Sequence, residues 1–296
     1  MDIGVMVPYL TPTDGPTMLA WCRAIDDGPF ASISIGERIT FHNLEQRVVL
    51  SAAAAVTRRA RLLTHILIAP LHPPGMLAKE LASIDVISGG RVGVALGTGA
   101  REEDYRAAGT TMQQVFQRQD ETALALRRLW AGEPLFPGDD PIGPRPVQPG
   151  GPPLYTSARG PRSVARAVKW ATGFCGAALP GTHAAIKAEY ESFMSLWRAA
   201  GGAPRLFTST STFFALGPGA EQRLRAVEDG YFNYTQGGAP LPAEAMASIR
   251  SQVFNDDAVR RAIDAAASVG YDQIIFIATT DDLADLDRLA SVVAAM

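Results

Sequence analysis

Two charged residues, Glu37 and Arg38, directly follow an apolar stretch at residues 30–36 whose composition is typical of a buried strand. Burying a charge without solvent or a partner is costly, so both side chains are expected to face a cleft or the surface beyond the strand end. A guanidinium stays protonated near neutral pH, so Arg38 can hold an anion but cannot shuttle a proton. The residues alone leave two interpretations open: a binding cleft, or a polar loop closed by a surface ion pair.

A third candidate is His65, which lies within an apolar, β-branched stretch at residues 60–70. Its neighbours leave open whether it is a hydrogen-bonded structural residue or a catalytic one.

A fourth candidate is the turn SARGP at residues 157–161, between a predicted strand and a predicted helix. A helix N-terminus presents unpaired N–H groups, small residues let an anion approach, and Pro161 at the first helical position sacrifices no donor. The turn is therefore either a phosphate site or a plain structural turn.

The elements that must position these residues centre on residues 76–99. Apolar residues at spacings of three and four predict a helix with one buried stripe: Leu77, Leu81, Ile84 and Ile87. Ser88, Gly89 and Gly90 predict its end, because they tolerate a left-handed backbone. A strand of alternating large and small residues follows, and it ends at Gly97, Thr98 and Gly99. Ligands bind at this end of the strands in parallel α/β folds.

Strands and amphipathic helices alternate along the chain, which predicts a parallel sheet covered by helices. Eight strands can be counted, at residues 2–9, 30–36, 60–70, 92–97, 153–157, 173–177, 205–216 and 272–278. Residues 132–153 are crowded with proline and glycine and interrupt the alternation. Because they lie in the middle of the series, we interpret them as an excursion from one barrel rather than as a linker, and we expect one domain over residues 1–296.

The ordered series of motifs resembles the bacterial-luciferase-like superfamily of flavin- or deazaflavin-dependent oxidoreductases. The resemblance rests on AKELASIDVISGGRVGVALGTG, with LHPP before it and EDYRAAG after it, on GERITF, and on the stretch around Gly160. It covers most of the chain and implies a single (β/α)8 TIM barrel that holds the cofactor ring at the C-terminal ends of the strands. In the family the region of residues 132–153 lies near the mouth, so a lid is expected there.

The resemblance implies a role for each candidate residue. Glu37 matches an acidic position beside the ring, whereas Arg38 replaces the usual histidine, which argues against a His-dependent acid–base mechanism. His65 is expected as the third catalytic residue, at a point where deazaflavin-using members carry a non-prolyl cis peptide; His72 is expected to pack or form hydrogen bonds. The expected cofactor contacts are Ile66, Gly97, Thr98 and Gly99 at the ring, and Ser157, Ala158, Arg159, Gly160, Ala177 and Ala178 at the phosphate.

The stretches ERITFHN and LIAPLHPP look closer to the deazaflavin branch, so coenzyme F420 is the expected cofactor and FMN the alternative. Arg159, Arg162 and Arg166 have the spacing of one helix face and could line a groove for the charged F420 tail; a solvated basic face would have the same pattern. Ala100 stands where some deazaflavin dehydrogenases carry an acidic catalytic residue. The alternative function is therefore a non-catalytic barrel that binds a flavin or another aromatic metabolite.

Composition narrows the remaining classes. The chain has 296 residues, of which 47% are hydrophobic and 19% charged, enough for a sizeable core, and its net charge of −3 gives no electrostatic reason to expect nucleic acid or a membrane as partner. The four histidines form no H-x-H pair, which argues against a metal-dependent hydrolase. Cys22 and Cys175 are expected to be buried free thiols in a cytoplasmic protein. The substrate is expected to be a small molecule, with Phe41 and Tyr105 suggesting an apolar pocket; family members often form homodimers.

Overall fold

Eight parallel strands close into a barrel in chain order, and the last strand pairs with the first. The structure is a computed structural model that describes residues 1–237 and 240–296. The strands are β1 (Asp2–Met6), β2 (Ser32–Ile35), β3 (Arg61–Ile68), β4 (Val92–Gly97), β5 (Leu154–Thr156), β6 (Gly173–Cys175), β7 (Phe207–Phe214) and β8 (Gln273–Ala278). The predicted (β/α)8 barrel is confirmed, with each strand inside its predicted stretch.

Helices surround the barrel. They are α1 (Gly15–Asp27), α2 (Gln46–Val56), α3 (Pro74–Ser88), α4 (Glu102–Ala107), α5 (Val115–Trp130), α6 (Pro161–Ala167), α7 (His183–Ala199), α8 (Ala220–Thr235), α9 (Ala243–Ile249), α10 (Asp256–Val269) and α11 (Leu283–Ala294). The short helix α4 is absent from the sequence prediction. Asp282 caps α11 by accepting the Ala284 N–H at 3.0 Å. Among the residues described, no helix is long and apolar enough to cross a membrane.

The α3–β4 unit forms as predicted, with one exception. Helix α3 ends at Gly89, whose backbone is left-handed (φ +69°). Leu77, Leu81 and Ile84 are buried, but Ile87 is 56% exposed, so its place in the buried stripe was wrong. The buried face of α3 instead includes the polar residues Asp85 and Ser88. The Asp85 carboxylate accepts the Val147 N–H, and the Ser88 hydroxyl donates to the Asp85 carbonyl.

The excursion at residues 132–153 contains no helix or strand. It is fastened to α3 and to the beginning of β4. The Asp85 carboxylate accepts the N–H groups of Val147 and Gln148 at 2.8 and 3.1 Å, and the Gln148 amide donates to the Val92 carbonyl at 2.7 Å. These bonds hold residues 147–148 beside the amino end of β4, whereas Leu135 and Ile142 lie near Gly75 in the first turn of α3. The expected lid is therefore not formed by residues 147–148, and for the rest of the excursion it stays a prediction.

Strand β3 is irregular near its carboxyl end. The His65–Ile66 peptide bond is cis, and the pairing of β3 with β4 shifts register between Thr64 and Leu67. His65 and Ile66 are half-buried, whereas the strand residues on either side of them are buried. The open end of the barrel is therefore accessible down to this level. Cys22 and Cys175 are buried free thiols, as expected.

Candidate active site at the carboxyl ends of the strands

The Glu37 carboxylate joins the ends of β2 and β3. It is 4% exposed, and each of its oxygens has a partner: Oε2 accepts the Ile68 N–H at 2.5 Å and Oε1 lies 2.7 Å from His72 Nε2. Because both oxygens are engaged within the chain, the carboxylate is well placed to hold the end of β3.

His72 is oriented by a second group. Its Nδ1 lies 3.2 Å from Arg47 Nη1, which also pairs with Glu80 at 2.8 Å. A guanidinium can only donate, so Nδ1 is the acceptor and the ring proton is on Nε2, where it is donated to Glu37. The expected hydrogen-bonding role of His72 is confirmed.

Arg38 lies on the other side of Glu37 and reaches towards α8. Its Nη2 donates to the Tyr231 hydroxyl at 2.7 Å and its Nη1 to the Glu37 carbonyl at 3.3 Å, while its Nε is buried without a partner. Tyr9, at the end of β1, packs edge-on against Tyr231 with ring centroids 6.2 Å apart. Burial, followed by the neighbouring Tyr231, raises the pKa of Tyr9 well above its ordinary value, so its hydroxyl stays protonated.

The His65 side chain points from β3 into the barrel interior, towards β7. Its Nε2 lies 3.5 Å from the Ser211 hydroxyl on β7, and its Nδ1 is buried without a partner. Burial lowers the pKa of His65 to about 4, so the imidazole is neutral at pH 7. A neutral ring keeps one lone pair to accept a hydrogen bond.

Ile66 and the end of β4 form an apolar floor. A Cβ atom at Gly97 would lie 2.1 Å from Ile66 Cδ1 and 2.9 Å from the Ser157 hydroxyl oxygen, so only glycine permits this packing. Gly99 has a left-handed backbone (φ +64°), and the Thr98 carbonyl accepts the buried Tyr105 hydroxyl. The three residues of the predicted strand end are thus fixed in place.

A cavity of about 260 Å³ opens beside this floor, between the ends of β4 and β5. Six of the ten predicted cofactor contacts line it: Gly97, Thr98, Ser157, Ala158, Arg159 and Gly160. Ser163 and Arg166 of α6 line it as well, and neither is among the predicted phosphate contacts. Ser163 is bonded to Gly160 in both directions, at 2.9 and 3.2 Å, which closes the turn.

Ala177 and Ala178 line a different cavity, of about 380 Å³, which shares Ala158 and Arg159 with the first. Their N–H groups are already engaged. Ala177 donates to the Glu189 carboxylate at 2.7 Å and Ala178 to the Thr210 hydroxyl at 3.1 Å. An anion at this point would meet the Glu189 carboxylate. The expectation that these two residues complete a phosphate site is therefore corrected.

The three arginines of the predicted groove do not share one helix face. Arg159 precedes α6, and its guanidinium crosses to the Ala177 carbonyl at 3.0 Å and to Glu189 at 3.3 Å. Arg166 pairs with Asp120 at 2.9 Å, and Arg162 is exposed. Two of the three charges are thus neutralised within the chain.

The family model described as luciferase-like monooxygenase matches residues 1–294. The chain belongs to this family.

Individual relatives of this luciferase-like chain agree with that assignment. It is 30% identical over 163 residues to the oxygenase component of the flavin-dependent trigonelline monooxygenase of Acinetobacter baylyi, a match that covers 51% of this chain and 45% of the relative. The chain thus spans about half the length of that relative.

Solved structures share the fold over nearly the whole chain. The monooxygenase RslO1 from Streptomyces bottropensis matches with a TM-score of 0.74 and 24% identity, covering 100% of this chain and 98% of that one. An F420-dependent secondary alcohol dehydrogenase in complex with an F420–acetone adduct matches with a TM-score of 0.79 and 17% identity, covering 99% and 98%. At these identities the matches show the fold alone.

Several residues at the mouth of this luciferase-like barrel are not predicted from the sequence. Tyr231 and Tyr234 come from α8, and the Asp104 carboxylate accepts the N–H groups of Ile39 and Thr40 at 3.1 and 2.8 Å. The aromatic run GYFNYT at residues 230–235 is the one local signal that could have pointed to the two tyrosines. Nothing local in the sequence marks Asp104, because its partners lie more than sixty positions away.

Proposed function

We propose that this chain is an oxidoreductase that uses a flavin-type cofactor, with coenzyme F420 favoured over FMN, to transfer hydride to or oxygenate a small organic substrate. The observation that carries the proposal is the grouping of six expected cofactor contacts around one cavity, next to the floor made by Ile66 and Gly97. Family membership supports it, and both a flavin-dependent relative and an F420-dependent structural neighbour are known.

The residues present fit a flat ring with a phosphate-bearing tail. Ile66 and Gly97 would lie against the ring, and Ser163 and Arg166 would contact the phosphate in the cavity between β4 and β5. Asp120 also lines this cavity and pairs with Arg166 at 2.9 Å, so the phosphate would share that guanidinium with a carboxylate. When bound, the cofactor supplies the hydride or activates oxygen, and the protein supplies placement and electrostatics. His65 is neutral and would pack beneath the ring or the substrate without adding a charge to the site.

Glu37 takes a different role from the one expected from the family pattern. Since Ile68 and His72 occupy both of its oxygens, we assign it to positioning the end of β3 rather than to proton transfer. Arg38 remains a cation at the mouth.

The choice of F420 rests on the tail. Arg162 is exposed on the first turn of α6, and in the part of the chain that is described no carboxylate pairs with it. F420 carries a charged extension beyond its phosphate, and Arg162 is placed to attract it.

Dissociation constants for F420 and FMN, measured by fluorescence at low and high salt, test the proposal. We expect F420 to bind more tightly and to lose more affinity with salt, because exposed charges are screened. Arg162→Ala should weaken F420 about two- to fivefold, in keeping with one exposed ionic contact. Arg260→Ala, at an exposed ion pair on α10, is the matched control and should change nothing.

Tighter binding of FMN, or indifference to salt and to Arg162, would contradict the choice of F420. Turnover is measured separately, with reduced cofactor and a substrate panel. Binding of a cofactor without any turnover would favour the carrier function over the enzyme.

A further inference from the structure

We propose that the mouth of the barrel binds a small planar carboxylate as substrate, held by the guanidinium of Arg38 and the hydroxyl of Tyr231. This inference rests on the proposed function, since the carboxylate would be the molecule on which the cofactor acts.

Arg38 has an incomplete set of hydrogen-bond partners. Of its five N–H donors, one meets the Tyr231 hydroxyl, one meets the Glu37 carbonyl, and the Nε donor is buried without a partner. Arg91, a structural arginine elsewhere in the barrel, instead spends its donors on five hydrogen bonds to carbonyl and hydroxyl oxygens. Arg38 therefore retains donors for a ligand.

Arg38 also lacks a counter-ion. Four other arginines near the strand ends, though not Arg118 or Arg162, have a carboxylate within 3.5 Å: Arg47 with Glu45, Arg101 with Glu103, Arg159 with Glu189, and Arg166 with Asp120. Among residues 1–237 and 240–296, none pairs with Arg38, which is itself half-buried. A desolvated cation is costly unless an anion accompanies it, and an anionic ligand would remove that cost.

The two nearby carboxylates lie beyond ion-pair distance of Arg38. Glu37 accepts from Ile68 and His72, as described above. One oxygen of Asp104 accepts three hydrogen bonds, from the Ile39 N–H and from the N–H and hydroxyl of Thr40, whereas its other oxygen is buried without a partner.

Aromatic side chains surround the Tyr231 ring beside Arg38. Tyr231 is ringed by aromatic edges: its ring centroid lies 6.2 Å from those of Tyr9 and Phe213 and 6.3 Å from that of Phe41. Such a wall suits a flat ring packed edge to face.

Arg38 and Tyr231 also lie on a suitable part of the barrel rim. Arg38 follows β2 and Tyr231 comes from the helix after β7, so both lie on the part of the rim away from the cavity between β4 and β5. His65 and Ile66 are on β3, which lies between β2 and β4, and both residues are half-buried. A carboxylate at Arg38 would thus place its ring over the floor on which the cofactor is proposed to rest.

Benzoate and benzamide are suitable probes because they share size and shape and differ in charge. Their dissociation constants are measured by calorimetry on the purified protein, both as isolated and saturated with F420. We expect benzoate to bind about tenfold more tightly than benzamide, because hydrogen bonds between charged groups are roughly twice as strong as those between neutral ones. Arg38→Gln should abolish that preference, Arg38→Lys should retain part of it, and Tyr231→Phe should weaken benzoate about threefold.

Arg260→Gln, far from the mouth, serves as the control, and a melting curve of each variant checks that it folds. If Arg38→Gln does not fold, Arg38→Lys and Tyr231→Phe decide. Equal affinity for the two probes in the unmodified protein would overturn the inference. A second contrary result would be that Arg38→Gln binds reduced F420 more weakly but keeps its preference for benzoate over benzamide. Arg38 would then bind the cofactor and not the carboxylate. Failure of cofactor binding is seen in a separate titration, so it is distinguishable from failure of the carboxylate site.

Discussion

Replacing Glu37 by glutamine exchanges one carboxylate oxygen for an NH₂ group at the point where β2 and β3 are joined. The two oxygens face two donors, the Ile68 N–H at 2.5 Å and the His72 Nε2–H at 2.7 Å. His72 cannot offer an acceptor instead, because Arg47 donates to its other ring nitrogen. In either orientation the new amide therefore points a donor at a donor.

The cost follows from burial, since Glu37 is only 4% exposed. One hydrogen bond to a charged acceptor is lost, worth about 1.5–3 kcal/mol, and a buried donor is left unpaired, at a cost of about 1–3 kcal/mol. With partial relaxation we expect the free energy of unfolding to fall by about 3 kcal/mol, seen as a decrease in Tm of roughly 5–10 °C.

Chemical and thermal denaturation of Glu37→Gln measure this loss. Glu133→Gln is the matched control, because Glu133 forms an ion pair with Arg128 in which both side chains are more than half exposed, and its loss should cost less than about 0.5 kcal/mol. Equal stabilities for the two variants would refute the positioning role. Unchanged stability with lower turnover would return Glu37 to the catalytic role expected from the family pattern.

Three further predictions concern other parts of the molecule. Burial lowers the pKa of His65 to about 4, whereas in the unfolded chain the imidazole protonates near pH 6.5. The free energy of unfolding should therefore fall by up to roughly 3 kcal/mol as the pH drops from 6.5 to 4. In urea denaturation at several pH values, His65→Gln should flatten this part of the pH dependence. Gly97→Ala should weaken cofactor binding about tenfold by displacing Ile66 Cδ1, and Ile66→Val, which lacks that atom, should restore part of the affinity in the double variant. Cys22 and Cys175, whose pKa values burial raises to about 12, should resist a thiol reagent at pH 8 in the folded protein and react fully in denaturant.

Each of these has a clear contrary result. An unaltered pH profile in His65→Gln would show that the imidazole titrates normally. Full cofactor affinity in Gly97→Ala would remove that strand end from the site. Rapid labelling of either thiol in the native protein would show that the barrel wall opens near it.

The barrel was predictable because its signals are local. Strand and helix periodicity, and the left-handed stop at Gly89, depend on residues a few positions apart. The strand end at Gly97 was predictable for the same reason, since alternating small residues mark a close backbone approach. Periodicity failed at Ile87, which is exposed although its spacing predicted burial. The buried face instead includes Asp85, whose carboxylate binds the Val147 N–H of the excursion, and no local pattern predicts that contact.

The site was predictable only where its residues follow a strand directly. Arg38 and Tyr231 are 193 positions apart, and no local pattern links them. Arg159 and Glu189 illustrate the same point, because the ion pair that redirects Arg159 away from the helix forms between two separate strand–helix units. Such pairings follow from the closure of the barrel and not from the composition of either segment.

The most direct test of the account is a crystal structure of the protein with coenzyme F420 bound. We expect the ring to rest against Ile66 and Gly97 at the carboxyl ends of β3 and β4, with the phosphate in the cavity lined by Ser157 and Ser163. A ring located away from these strand ends, or a barrel mouth without cofactor at saturating concentration, would contradict the central claim.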